Sequence, residues 1–240
     1  MENRVILAFP RSGSKLLASV HQQNGYHNFG EFFNSYSTVI LDHPVLRAVR
    51  MPIDQQRQIW KTRKDRGADL DNWTQNLIVK HRVKKFNQHK NLTPSIVSIW
   101  FASIKSTPDA FNLMNERTVL CLRRKNKFDQ ILSRCITHSY LNHDNEFPSR
   151  PMNIDVEYFN LTFDALVKLE QLQDYYIAAG NGKIIDFDEL IAGTADLGFS
   201  YNVTSTDQHP NLESLVLNLE TIKARYQELV TLYNIQDETN

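Results

Sequence analysis

The chain has 240 residues, 41% of them apolar and 10% aromatic, enough to bury one sizeable core or two small ones. Lys plus Arg and Asp plus Glu number 27 each, so no overall field draws the protein to nucleic acid or a membrane surface, and any anion site must be local. No apolar run reaches membrane-span length, and Val5-Ile6-Leu7-Ala8-Phe9 is too short for a secretory signal; the expectation is a cytoplasmic protein without stable membrane insertion.

The run from Val5 to Phe9 is continuously apolar, as in a strand buried on both faces of a parallel sheet, and Pro10 stops it. After Pro10-Arg11-Ser12-Gly13 the pattern predicts a helix from about Ser14, with Leu16, Leu17 and Val20 on one face and Gly25 as terminator. Ile96 to Phe101 predicts a further strand. Thr118 to Leu122 predicts another, followed by the turn Arg123-Arg124-Lys125-Asn126 and a helix from Phe128 to about Thr137. Residues 162 to 179 read as helix, Gly180-Asn181-Gly182 as a break, and Lys183 to Phe187 as a short strand. Leu212, Leu215, Leu219, Ile222, Tyr226, Leu229 and Tyr233 alternate spacings of three and four, the stripe of one terminal helix packed on the sheet. Polar, proline-bearing stretches at 142–157 and 200–211 read as surface loops.

Strands alternating with helices imply an α/β fold with a central parallel sheet flanked by helices, in three P-loop-like layers, over a single domain 1–240. Cys121 and Cys135 have no metal-ligand spacing and read as buried thiols, and no metal site is expected. Sequons at Asn91, Asn160 and Asn202 would matter only on a secretory route. Between Arg57 and Lys90, ten basic residues stand against three acids, with Trp60 and Trp73 interspersed. This is either a solvated helical face or an electropositive wall for an anionic ligand.

The loop Pro10-Arg11-Ser12-Gly13-Ser14-Lys15 joins a buried strand to a helix start, where free backbone amides and the positive helix end converge, and such a point binds phosphate. Gly13 permits close backbone approach, Ser12 and Ser14 add hydroxyls, and Arg11 and Lys15 add charge. Set against the Walker pattern, Ala8 stands at the first glycine position, Gly13 at the second, and Ser14-Lys15 reverses the required Lys-Ser order, which disfavours an ordinary magnesium-nucleotide loop.

The stretch Phe9-Pro10-Arg11-Ser12-Gly13-Ser14-Lys15-Leu16-Leu17 resembles the 5′-phosphosulfate loop of sulfotransferases that use 3′-phosphoadenosine 5′-phosphosulfate (PAPS). It is most similar to the trehalose sulfotransferase-like branch, Arg-Ser-Gly-Ser-Thr-Leu-Leu, from which Lys15 departs. In that family a Glu-Phe-Phe segment one helix later carries the general base, matched here by Glu31-Phe32-Phe33. A strand ending in Arg and a Ser about nine residues on bind the 3′-phosphate, matched by Arg124 and Ser133. Weaker echoes are Ile99-Trp100, with Ser98 where the family has Lys, and Asp186-Phe187-Asp188-Glu189-Leu190.

The resemblance implies that Arg11, Ser12, Gly13, Ser14, Lys15 and Leu16 hold the 5′-phosphosulfate of PAPS, that Arg124 and Ser133 hold its 3′-phosphate, and that Lys15 assists the leaving group. Glu31 would deprotonate an acceptor hydroxyl on a sugar, lipid or small metabolite, with His21, His27 and His43 as alternative bases. Adenosine 3′,5′-bisphosphate would be the product, and no metal would be needed. Residues 34–94 would form a helical insertion on the acceptor side, and a homodimer is compatible with the sequence. The competing readings are a P-loop kinase, with Ile184-Ile185-Asp186 as its acidic strand, and a non-catalytic anion-binding module.

Overall fold

The structure, a computed structural model, describes residues 2–30, 94–100, 108–140, 150–203 and 211–235. Glu31, His43, the basic segment 57–90 and the rest of the expected insertion up to residue 93 lie outside the described residues.

Strand β1, Arg4–Ala8, is followed by helix α1, Ser14–Gln23, and a short strand β2, His27–Asn28. Then come β3, Ser95–Trp100; α2, Pro108–Asn115; β4, Thr118–Arg123; and α3, Lys127–Tyr140. A long helix α4, Val156–Ala178, leads into β5, Gly182–Asp186, and α5, Phe187–Ala192. A 3₁₀ turn at Glu213–Leu215 precedes α6, Leu219–Leu232. The five strands form one parallel sheet in the order β2-β3-β1-β4-β5. β1 pairs with β3 in the register Arg4 opposite Ile96 through Ala8 opposite Trp100. This is the α/β fold with a central parallel sheet that the sequence predicts.

Burial explains why these strands have no alternating pattern. Val5, Ile6, Leu7 and Ala8 of β1, Ile96, Val97 and Ile99 of β3, and Val119 to Leu122 of β4 are all buried, as strands covered on both faces must be. Cys121 and Cys135 are buried free thiols, as expected. Burial pushes the Cys135 thiol up to about 12, which removes it from thiolate chemistry at neutral pH.

The chain divides into two compact units: Met1–Ala8, Ser14–Cys121 and Tyr176–Lys183 form the first, and Phe9–Gly13, Leu122–Tyr175 and Ile184–Asn240 the second. The first is tied by a polar clamp at the entry ends of its strands. Asn3 Oδ1 accepts from the Ser95 amide at 2.9 Å and the Ser95 hydroxyl at 3.1 Å, and the buried Arg117 donates to Ser95 Oγ at 2.7 Å. In the second, Phe128 packs on Phe159 and Tyr226, and Phe163 on Tyr226 and Tyr233, which joins α3, α4 and the C-terminal helix.

Three boundaries differ from the sequence reading, and each is set by a local bond. Helix α4 begins six residues earlier than the pattern predicts because Asp155 Oδ1 accepts from the amides of Glu157 and Tyr158, an N-cap within a stretch that reads as loop. The C-terminal stripe is not one helix. Met152 and Val216 form a parallel bridge, with Leu217 N donating to Met152 O at 2.8 Å, and this extended pairing interrupts the helix before Leu219. Phe187 leaves the predicted strand to open α5, because Asp186 Oδ1 caps the amides of Asp188 and Glu189.

His21 is fully buried in the first unit. Its Nδ1 donates to Leu17 O at 2.8 Å, which leaves Nε2 to accept from Arg4 Nη1 at 2.9 Å. Desolvation, with the Arg4 charge as a smaller cause, depresses the imidazole to about 4, so the folded state requires it neutral. His21 is therefore a core residue and not a base. Its stabilising contribution is present above the unfolded value near 6.5 and is lost as pH falls through the folded value near 4. Urea unfolding between pH 7 and pH 4 is expected to show up to about 3 kcal/mol of lost stability from this group, and His21→Gln to flatten that slope. An unchanged slope in the variant would assign the acid sensitivity elsewhere.

Candidate anion-binding site

The loop after β1 turns back on itself within the second unit. Ser12 N and Ser12 Oγ both donate to Phe9 O, at 3.2 and 2.6 Å, and Ser12 is fully buried. The hydroxyl expected to meet an anion thus braces the turn in this structure. Arg11 adopts φ +68, a left-handed conformation that costs a non-glycine residue on the order of 1 kcal/mol or more. That backbone twist belongs to the residue whose side chain reaches furthest across the site: Arg11 Nε donates to Ser133 Oγ in a stretched bond of 3.4 Å.

Gly13 is required twice over. Its φ is +90, and an added Cβ would land on Cδ2 and Cε2 of the Phe187 ring. Ser14, Lys15 and Leu16 form the first turn of α1, where helix geometry leaves backbone amides without intrahelical partners. Ser14 is buried, Leu16 half-buried and Lys15 exposed.

β4 and α3 supply the other wall. The tandem Arg123-Arg124 at the strand's end divides by role. Arg123 is a structural clamp on α4, with Nε on Gln173 Oε1 at 2.9 Å and Nη2 on Asp174 Oδ1 at 2.6 Å and Glu170 O at 3.2 Å. Arg124 instead stacks over the Phe187 ring, its Cζ 3.9 Å from the ring centroid. Helix α3 is capped by Asn126, whose Oδ1 accepts from the Asp129 amide at 2.9 Å while its Nδ2 donates to Asp129 Oδ2 at 2.8 Å. Two turns of that helix from its start place Ser133, buried, within reach of Arg11.

The electrostatics are those of cations held together. Burial lowers the Arg11 pKa, and the positive charge of Arg134 lowers it further. Burial also lowers that of Arg124; Asp188 and Asp129 oppose the shift, and Arg11 reinforces it. Arg11 thus lies within the field of two other guanidiniums. Asp129 is pushed up by burial and by Glu213, against the pull of Arg124 and Lys223. An anion seated between Arg11 and Arg124 would relieve their repulsion and receive charge-assisted hydrogen bonds.

Of the residues expected from sequence to bind a ligand, the second unit brings together Arg11, Ser12, Gly13, Arg124 and Ser133, while Ser14, Lys15 and Leu16 follow directly in the chain on α1. Glu31 is outside the described residues. Sequence reasoning missed Arg134 and Phe187. Arg134 is adjacent to Ser133 but carries no motif of its own. Phe187 reads in sequence as a strand residue within a weak family echo that gives it no role, and the spatial contact with Gly13 and Arg124 reveals one.

Asp186, the acidic residue of the kinase reading, uses Oδ1 to cap α5 and has Oδ2 3.8 Å from Lys125 Nζ. Among the described residues there is no cluster of three or more His, Cys, Asp or Glu suited to a metal, and no helix long and apolar enough to cross a membrane. No protein-family model matches the chain, and no curated protein is significantly similar to it.

The geometry at Gly13 gives a direct test. Gly13→Ala is expected to destabilise the protein by about 2–4 kcal/mol through left-handed strain and collision with Phe187, read as a lowered melting temperature. A variant as stable as the wild type would show that the loop does not hold this conformation.

Proposed function

We propose that the protein is a sulfotransferase that moves the sulfuryl group of PAPS to an acceptor hydroxyl, releasing adenosine 3′,5′-bisphosphate. The observation that carries this reading is the grouping of Arg11, Arg124 and Ser133 in one unit with the loop Phe9–Gly13, whose glycine has φ +90. A doubly ended anion, phosphosulfate at one end and 3′-phosphate at the other, answers both the loop and the Arg124/Ser133 wall. A mononucleotide triphosphate would answer only the loop.

Sulfuryl transfer proceeds nearly in line between two oxygens, so the protein's work is placement and stabilisation of shifting charge. Arg124 and Ser133 would hold the 3′-phosphate. Arg11, bonded to Ser133, would connect that phosphate to the loop. The amides that open α1, with Lys15, would face the 5′-phosphosulfate and stabilise charge on the leaving bridge oxygen. Glu31 would take the proton of the acceptor hydroxyl as the S–O bond to the donor breaks and the new one forms. The charges that magnesium balances in a kinase would be met by guanidinium and ammonium groups.

Calorimetric titration in the presence of a chelator is expected to show binding of adenosine 3′,5′-bisphosphate, with Arg124→Ala weakening it tenfold or more through loss of a charge-assisted pair. A preference for magnesium-ATP would support the kinase reading and sink this one. With labelled PAPS and a cell extract as acceptor source, Glu31→Gln is expected to keep donor affinity and lose roughly 10²–10⁴-fold in turnover. Lys15→Ala should bind donor and turn over slowly; full turnover would remove Lys15 from the chemistry.

A further inference from the structure

Phe187 is the residue at which the parts of the candidate site meet. Asp186 fixes its backbone as the first residue of α5 through bonds of 2.7 and 3.2 Å to the next two amides, and the ring is only 7% exposed. The ring touches two functional elements at once. One edge, Cδ2 and Cε2, fills the space where any side chain on residue 13 would project, and one face carries the Arg124 guanidinium at 3.9 Å.

The orientation of Arg124 is otherwise under competing pulls. Asp188 and Asp129 attract it and Arg11 repels it, yet among the described residues it forms no ion pair with either acid. A guanidinium stacked through its face keeps its N–H donors in the plane, directed outward and available to a phosphate, whereas one drawn into a bidentate carboxylate pair would lose them. An ordinary core phenylalanine packs on aliphatic groups. This one packs on a left-handed glycine and a half-buried cation.

We infer that Phe187 is a positioning residue of this site: its ring holds the Arg124 guanidinium with its donors presented to an anion and fixes the spacing between Arg124 and the Gly13 turn. The inference rests on the donor-site reading only for the identity of the anion. A ring occupied in this way is a support for the cation and does not offer that same face to a nucleobase.

The experiment has one arm without nucleotide and one with it. In the first, the full chain is treated with phenylglyoxal, and modification of the Arg124 peptide is followed by mass spectrometry against the exposed Arg150 as internal reference. Removing the ring in Phe187→Leu is expected to speed Arg124 modification about fivefold or more, while Phe187→Tyr, which keeps the ring, leaves it at the wild-type rate. In the second, the ratio of affinities for adenosine 3′,5′-bisphosphate and adenosine 5′-monophosphate is expected to fall about fivefold in Phe187→Leu and to be retained in Phe187→Tyr. Should the leucine variant not fold, Phe187→Met, which fills similar volume without a ring, replaces it in both arms.

Unchanged Arg124 reactivity in a folded ringless variant overturns the inference, as does a lowered melting temperature with an unchanged affinity ratio. If the wild type shows no preference for the bisphosphate, the donor reading fails, and the reactivity arm alone decides the role of Phe187.

Discussion

The withdrawal of neighbouring guanidiniums from water is the constraint that the candidate site in the second unit has to meet. Arg11 and Arg124 are partly withdrawn from water and lie within each other's field, and Arg134 adds a third positive charge beside Arg11. Such an arrangement raises the energy of the unliganded protein, and here it is held by backbone, hydrogen-bond and packing devices that act on each arginine separately. Arg11 is anchored by a left-handed backbone and a bond to Ser133, and Arg124 by a ring. The cluster does not stabilise the fold by itself, because folding brings the like charges together. Asp188 and Asp129 supply part of the attraction at Arg124, and the proposed anion would add to it.

The same constraint accounts for the sharing of charged residues around the site. Asp129 and Asp188 moderate the positive field near Arg124, but Asp129 is also engaged by the cap of α3, and its carboxyl is pushed upward by burial and Glu213. Arg123, one residue from Arg124, is withdrawn into a three-bond clamp on α4. Arg123 closes β4 and Arg124 follows it, so the tandem pair at the strand end sends one guanidinium to α4 and the other to the Phe187 ring.

Much of the fold was legible in the chain because buried parallel strands leave a strong trace. Val5 to Phe9 and Thr118 to Leu122 have no polar interruptions, and Gly25 and Gly180 stop helices with the positive φ that glycine permits. The failures came where one side-chain bond outweighed a pattern. The Asp155 and Asp186 caps each decide a helix start, and the Met152–Val216 bridge breaks a leucine stripe that is regular by count alone. At the site, the loop stood out in the sequence as charge and glycine beside a strand end, and Arg124 and Ser133 only through the family resemblance. Arg134 and Phe187 did not, since their importance lies in pairings between residues far apart along the chain, Arg11 with Arg134 and Gly13 with Phe187.

The clamp of Asn3, Ser95 and Arg117 has a consequence for how the molecule could change. It secures the beginnings of β1 and β3 and the approach to β4, whereas Arg11 and Arg124 follow the ends of β1 and β4. Parallel strands therefore put their clamped beginnings at one margin and the residues that follow their ends at the other. Loops at the outgoing margin could be exchanged for others with different ligand preferences while the incoming margin continued to hold the strands in register, which makes this scaffold a natural recipient for grafted specificity.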